Sequence, residues 1–588
     1  MTAPSLSWAR RVPGRPAFRH LRGPLAVVSG GAALAIVVAA LPWLSGADPA
    51  LTVLRARSAE REPDPAALRA VRDELDLPAD PVSGALAWLG GALRGDLGVS
   101  WVTGLPIGPA VGQAMGVSGG LALAAVSVAL AGAGLVLLPG LWRAVTTGGP
   151  VGDRGAVVGA TLAALPDFLL AAVLLTVVAV RWGLLPTSGW AGPPNAVLPA
   201  LALGLPAAGL LSRILAGAVD AALAEGWVRA WRAAGLGPGV LLLALLRRAV
   251  AVALPQVLLL FTGLLGSSVA VESVFAVPGL GATVLAAVLA QDLPLVQGCV
   301  GALVAAGLAF GGAGVVAHRM LVGPALAGAG LAPALPAGPA GRAARWLPGG
   351  LGAVLLLAVA AGLLRDPDAM ALADRLQPPS WTHPAGTDAL GRDVLARFGH
   401  GAPLSIGVGL LVTGVSLVAG LAAGLAGRRA RAGVADALNA LPPVLVGILV
   451  AAVAGPGLAG AAAAVLLVAW VPLAVHARTL AAEIRASGFY LAAVAGGAGY
   501  GWMLRHHLLP SVLPAVTRHA LVRLPHVTLA LAGLSFLGLG APHDSPEWGA
   551  MLAESIAYAE RAPWTVALPA AGLGVLGVVA GLARAGRR

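Results

Sequence analysis

Residues 112–138 contain no Asp, Glu, Lys or Arg, and neither do residues 402–426 or 458–475. A helix of about 20 apolar residues crosses the roughly 30 Å hydrocarbon core of a bilayer. Stretches of this kind recur along the whole chain, so they constrain the fold more than any other feature. Charged residues make up 11% of the sequence and hydrophobic residues 58%, with a mean hydropathy of +0.87. A soluble domain carries roughly 25% charged residues. The expected fold is all-α, a polytopic membrane protein of about 12 transmembrane helices.

The expected spans lie near 25–44, 112–138, 156–180, 196–217, 249–271, 296–317, 347–364, 402–426, 434–454, 458–475, 512–540 and 564–583. The 82 glycines suit close helix–helix approach in a membrane, although a genome rich in Ala, Gly, Arg and Pro codons yields the same bias. Before the first span stand Arg10, Arg11, Arg15, Arg19 and Arg22, the pattern of an uncleaved start-transfer segment. With the N-terminus in the cytoplasm, the outer segments are 45–111, 181–195, 272–295, 365–401 and 541–563. They hold 12 of the 38 basic residues but 20 of the 26 acidic ones. This is the positive-inside pattern, and it places both termini in the cytoplasm. Arg518 and Arg523 fall inside the eleventh span, so either that span starts later or the two face a polar interior.

The chain reads as two halves. Residues 322–346 are rich in Pro, Gly and Ala and read as a linker. They separate a first six-span half (1–321) from a second (347–588). Two pairs of segments recur at equivalent places. EGWVRAWRAAGLG (225–237) and SGFYLAAVAGGAG (487–499) each lie between the fourth and fifth spans of their half. RGDLGVSWVTGLPI (94–107) and GRDVLARFGHGAPL (391–404) each precede the second span, with Asp96/Asp393, Gly104/Gly401 and Pro106/Pro403 coinciding at a spacing of 297. Both pairs imply a parallel repeat with both halves in the same orientation.

By charge, both copies of the first pair face the cytoplasm. Each holds a short helix-capable run ended by glycine, a usual helix stop. Such a helix fits two roles: docking a cytoplasmic partner, or simply connecting two spans.

The two segments resemble the coupling loops of ABC-transporter permeases. WLGGALRGDLGVSWVTGLPI (88–107), VESVFAVPGLGATVLAAVLAQDLPLVQG (271–298), GTDALGRDVLARFGHGAPLSIGVGL (386–410), LLPSVLP (508–514) and LSFLGLGAPHDSPEWGAML (534–552) resemble the dipeptide/oligopeptide/nickel group of that family. The resemblance covers nearly the whole chain, which looks like two permease subunits fused. It implies a translocation pathway for peptides or similar small solutes, with two cytoplasmic ATPase subunits gripping loops 220–248 and 476–511. It also implies an external solute-binding protein on the outer face of a prokaryotic cell membrane. Carried over by position, Glu225, Gly226, Ala230, Ala233 and Gly235 match the first loop. Ala492, Ala493, Ala495, Gly497 and Ala498 match the second, followed by His507 and Pro510. The other motif positions are Asp96, Glu272, Pro278, Gly279, Asp388, Gly391, Arg392, Asp393, Ser535, Gly538, Gly540 and Trp548. The chain departs from the pattern at Trp231, where Ala is usual, and at Ser487, where the first half has Glu225. Leu531 stands where a Glu usually precedes LSFLGLG, while the first half keeps Glu272.

Several other functions are excluded or outweighed. The net charge of +12 is spread among hydrophobic spans, so no basic domain exists for nucleic acid. A P-loop needs a Lys to reach the β- and γ-phosphates, and this chain contains no Lys. ATP is therefore expected on separate subunits, with no cofactor bound here and no catalytic residues. Cys299 is the single cysteine, which excludes an intrachain disulfide and a multi-Cys metal site. His506 and His507 point in different directions on a helix, so no metal site is expected there. Asp167 follows Pro166 in the third span, as a pathway residue, as a partner in an interhelix hydrogen bond, or at an interfacial position. The runs GLGPG (235–239) and GLGAT (279–283) lack a following βα pattern and do not mark a nucleotide site. AALRAVRDELDLP (66–78) reads as an amphipathic helix that is solvated beside the membrane, contacts a binding protein, or does both. The alternative function is an ion-coupled carrier of the major-facilitator type, suggested by GPVGDR (149–154) between the second and third spans. The arginines that signature expects next are missing.

Overall fold

The computed structural model describes residues 35–36, 38–44, 50–51, 54, 64–75, 81–147, 153–326, 342–426 and 443–585. Among them every regular element is helical. The extended pairing consists of two isolated bridges, Val99 with Pro106 and Thr387 with Asp393. The first half runs through α1 (Leu41–Leu44), α2 (Pro65–Leu75), α3 (Pro81–Ala92), α4 (Ile107–Thr147), α5 (Asp153–Leu162), α6 (Asp167–Leu174) and α7 (Pro193–Leu223). The short α8 (Gly226–Ala233) follows, then α9 (Pro238–Ser267), α10 (Val269–Val274), α11 (Leu280–Leu289) and α12 (Leu293–Leu326). The second half runs through α13 (Arg342–Leu363), α14 (Val394–Leu425), α15 (Pro443–Ala454), α16 (Leu458–Arg485), α17 (Gly488–Ala495) and α18 (Tyr500–Met503). It ends with α19 (Leu509–Phe536), α20 (Trp548–Ile556) and α21 (Pro563–Ala585). Of the linker 322–346, residues 327–341 lie outside the described residues, as do 25–34 of the first expected span.

Helix α4, α7, the Leu293–Gly314 part of α12, α14 and α16 are each long and apolar enough to cross a membrane. The 41 residues of α4 make a rod of about 60 Å, twice the hydrocarbon thickness. It therefore extends well beyond the bilayer. The third span differs from the expected single helix over 156–180. It breaks between α5 and α6, where Pro166 has no N–H to donate. Helix α6 restarts at Asp167, whose Oδ1 accepts from Phe168 N at 2.8 Å, and winds into a π turn over Leu175–Arg181.

Two of the expected outer loops, 272–295 and 541–563, are not solvated loops. Each folds into a short helix driven into the core, with Leu280 and Val284 of α11 and Trp548 and Leu552 of α20 fully buried. Glycine permits the approach. A Cβ on Gly281 would lie 2.6 Å from Val269 Cα, and one on Gly549 would lie 2.1 Å from Ala532 O.

The register of the second repeated pair also differs from the expected 297. The structure aligns the halves at 287. Helices α4 and α14 start at Ile107 and Val394. Gly104 (φ 69°) matches Gly391 (φ 75°), and the bridge residues Pro106 and Asp393 coincide. The 297 pairing joined identical Asp, Gly and Pro letters, but Asp96 is an exposed turn residue whereas Asp393 is buried at a helix start.

The halves share one core. Phe168 of α6 meets Phe536 of α19 with ring centroids 5.4 Å apart. Helix α21 packs on α5 and α6, and α15 packs on α9 and α11. At the α5–α21 end of this seam a Cβ on Gly577 would lie 2.3 Å from Ala164 O.

Candidate functional site

Helices α8 and α17 are the same unit built twice at a spacing of 262. Each starts after an extended residue, Glu225 (φ −72°, ψ 149°) or Ser487 (φ −74°, ψ 149°). Each closes on a left-handed glycine, Gly235 (φ 76°) or Gly497 (φ 88°). The closing hydrogen bonds correspond as well. Gly235 N donates to Arg232 O and Leu236 N to Trp231 O, while Gly497 N donates to Val494 O and Ala498 N to Ala493 O. This is a Schellman stop, which satisfies the last carbonyls and requires φ > 0 at the glycine. Gly237 and Gly499 then start the next helix with matching dihedrals.

Each unit is pinned on one side and open on the other. Val228 of α8 is buried in a cluster with Leu141, Ala144, Val219, Leu241 and Leu245. Arg232 donates to Ala144 O at 2.9 Å, at the end of α4. In the second half Tyr490 packs on a matching cluster around Ala481, Leu508 and Val512. Arg485 and Tyr500 donate to Leu425 O at 3.2 and 2.9 Å, at the end of α14. Gly226, Ala230, Ala233, Gly235, Ala492, Ala495 and Gly497 are exposed, and Ala493 and Ala498 are half-buried. A Cβ on Gly226, Gly235, Gly488 or Gly497 would meet nothing within 4 Å. The glycines of both units therefore border open space.

The two faces differ in chemistry. Glu225 bonds Arg248 at 2.5 Å and Trp227 Nε1 at 2.8 Å, and α8 also carries Arg229 and Arg232. Helix α17 carries no charge and exposes Phe489, Leu491 and Val494. His507 is half-buried with its ring 5.5 Å from Phe489, while Pro510 is exposed on the first turn of α19. His506 stacks on Trp502 at 4.7 Å. No group of three or more metal-ligating side chains occurs among the described residues. Arg248 was not singled out from sequence; a basic residue beyond a loop carries no signal of its own.

Among the remaining motif positions, Glu272, Gly279, Ser535, Gly540 and Trp548 gather at two buried helix starts. Glu272 is fully buried. It accepts from Ser118 Oγ (2.6 Å), Ser268 Oγ (2.7 Å) and Ala282 N (2.9 Å), while Ser118 Oγ accepts from Leu280 N. Gly279 permits this, because a Cβ there would lie 2.4 Å from the Glu272 carboxyl carbon; Pro278 beside it is exposed. In the second half the residue at the 262 spacing is Leu534, not Leu531. Ala276 (φ 46°) and Gly538 (φ 75°) make the same turn. With Leu534 unable to cap, Glu547 does so, accepting from Gly549 N and Ala550 N while Ser405 bridges its other oxygen to Trp548 N. Trp548 stacks on Phe398 with centroids 4.6 Å apart. Ser535 Oγ accepts from Ala541 N, and Gly540 lies against Ser535.

A buried ion network fixes the segment around Asp388–Arg397. Arg392 and Arg397 each bind both Asp388 and Glu554 at 2.7–2.8 Å. Asp393 caps α14 through Leu395 N and Ala396 N and accepts from Arg365 at 2.6 Å. Gly391 turns the chain there, with space for no side chain. Its counterpart in the first half is slighter: Ser100 Oγ and Trp101 N donate to Asp292.

Two pseudo-equivalent halves, each with a capped buried helix and a short glycine-stopped helix, make a duplicated polytopic all-α membrane protein. The sequence pattern of the family described as binding-protein-dependent transport system inner membrane component matches twice, over residues 137–322 and 412–585. The chain belongs to that family, as a permease of the ABC-importer class with two permease domains in one polypeptide. It is 36% identical to the dipeptide transport system permease protein DppC of Alkalihalophilus pseudofirmus over 215 residues, 35% of this chain and 70% of the relative. It is also 36% identical to the di/tripeptide transport system permease protein DppC of Pseudomonas aeruginosa, over 33% of this chain and 68% of that one. The same identity holds for the nickel transport system permease protein NikC of Escherichia coli K12, over 33% and 72%. Family membership favours this class over the major-facilitator alternative; of GPVGDR, residues 149–152 lie outside the described residues.

Proposed function

We propose that this chain is the fused transmembrane permease of an importer for peptides or similar small solutes, nickel chelates among them. Two separate cytoplasmic ATPases grip α8 and α17, and closure of the ATPase pair drives the switch of the pathway. ATP stays on those subunits. Both termini lie in the cytoplasm, and an extracytoplasmic binding protein delivers solute to the face that carries Asp388–Asp393 and α20. The observation that carries this reading is the duplicated unit, Glu225 to Gly237 and Ser487 to Gly499, pinned by its inner side and open on the other. The substrate class follows from the relatives' names alone. The test is purification of the tagged chain in mild detergent with identification of what accompanies it. ATPase subunits and ATP-dependent uptake are expected. Uptake driven by a proton gradient without any ATPase would overturn the reading.

A further inference from the structure

Helix α19 carries four basic side chains within nine residues: Arg518, His519, Arg523 and His526. The positions 262 earlier, on α9, are Gln256, Val257, Phe261 and Leu264. The feature thus belongs to the second half alone. Its depth follows from one contact. A Cβ on Gly409 would lie 2.2 Å from Thr528 Oγ1, and Gly409 is the sixteenth of the 32 residues of membrane-spanning α14. Thr528 therefore sits beside the membrane-spanning stretch of α14, within the bilayer. His526 is two residues away, and Arg523 is about 7–8 Å nearer the cytoplasm along the axis.

His526 is exposed at that depth. Arg523 lies on the stripe that buries Val516, Ala520, Val527 and Leu531, so it turns toward protein and not toward lipid. Its Nε is buried with no hydrogen-bond partner among the described residues. Helix α16 brings His476 to 5.0 Å from His519, and two residues on stands Arg478, whose Nε likewise lacks a partner. Glu483 is the single acid between Pro443 and Gly540, and it is exposed near the cytoplasmic end of α16. A cation at this depth is costly against lipid, and such residues mark solute pathways. Unpaired guanidinium groups there call for water or a visiting anion.

We propose that α19 and α16 line a water-filled stretch of the pathway in which Arg523, with Arg478, receives the carboxylate of the passing solute. This rests on the import-permease reading and adds a selective element within the membrane part. The second half then favours solutes with a free carboxylate, whatever the external binding protein selects.

The test uses the full chain in nanodiscs with Cys299→Ala and His526→Cys. Labelling rates are measured with an anionic sulfonatoethyl and a cationic trimethylammonium-ethyl methanethiosulfonate, each normalised to its rate with free cysteine. Both should react, with the anion favoured about tenfold by the local positive field. Arg523→Leu should bring the ratio near one, and Arg523→Lys should restore it. Arg478→Leu supplies the same comparison if Arg523→Leu fails to fold. Dialanine should slow labelling and dialanine amide should not. Absence of reaction with either reagent would overturn the water-filled stretch. A ratio unmoved by loss of the arginine would overturn the cationic site. Equal effects of dialanine and its amide, including none, would overturn carboxylate recognition. None of these results bears on ATPase co-purification, which tests the importer reading separately.

Discussion

Ser118 and Ser405 stand 287 residues apart and do the same work. Each accepts from the first N–H of a short buried helix, at Leu280 or Trp548, and donates to the carboxylate that covers the rest of that helix start. The carboxylates come from different places. Glu272 reaches across from α10, whereas Glu547 is itself the residue before α20. The repeat therefore preserves the cap and not the residue that makes it.

Loss of either serine should be felt as loss of two buried hydrogen bonds, one of them to a carboxylate. Ser405→Ala leaves Trp548 N without its partner. The expected cost is about 1–3 kcal/mol, seen as a lower thermal-unfolding midpoint of the detergent-purified chain. Ser118→Ala should behave alike. Glu547→Leu should cost more than Ser405→Ala, because it exposes three polar groups at once. Equal midpoints for wild type and all three variants would remove the capping role.

The outer ion network makes a sharper contrast. The Arg397 side chain is 4% exposed, that of Arg365 32%. Arg397→Leu leaves Asp388 and Glu554 short of a buried partner, and breaking such a pair costs about 3–5 kcal/mol. Arg365→Ala removes a partly solvated pair worth about 1 kcal/mol or less. Parallel thermal melts of the two variants should separate them clearly. If the Arg365 variant were the less stable, the network would not be what holds the segment.

The glycines that close α8 and α17 are predicted to act through backbone conformation. A side chain on Gly235 or Gly497 finds open space but must take φ near 76° or 88°. That costs an L-residue roughly 1–2 kcal/mol and re-aims the short helix. Gly497→Val should leave membrane insertion intact while abolishing ATPase co-purification or uptake, and Gly235→Val should do the same. Uptake at wild-type rates in both variants would end the coupling assignment.

The spans were readable because apolar runs of bilayer length have few other uses, and the short helices α8 and α17 because a glycine ended each one. The buried helices α11 and α20 were not. Their segments hold Glu272, Asp292, Glu547 and Glu554, and acids argue for a wet outer loop. In the fold most of those carboxylates are consumed as caps and ion pairs, which no count of charges reveals. The register error of ten residues has a related cause. In a Gly-rich chain identical letters recur by chance, while the true match pairs Pro106 with Asp393 and Ser100 with the Thr387–Asp388 turn, residues alike in place and not in name.

The seam between halves gives the last prediction. A Cβ on Gly577 would lie 2.3 Å from Ala164 O across it, whereas one on Gly533 would lie 3.6 Å from the Phe168 ring, ordinary contact distance. Gly533→Ala should therefore be nearly silent. Gly577→Leu must push α21 away from α5 and open the shared core, at a cost of about 3 kcal/mol, the upper end for overpacked interiors. A protease site placed in the Pro/Gly/Ala-rich linker makes the effect visible. After cleavage the wild-type halves should stay together on gel filtration, because the core and not the tether joins them. The cleaved Gly577→Leu protein should fall apart, and the cleaved Gly533→Ala protein should not. Co-elution of all three would mean that the α5–α21 contact contributes little to holding the two permease domains together.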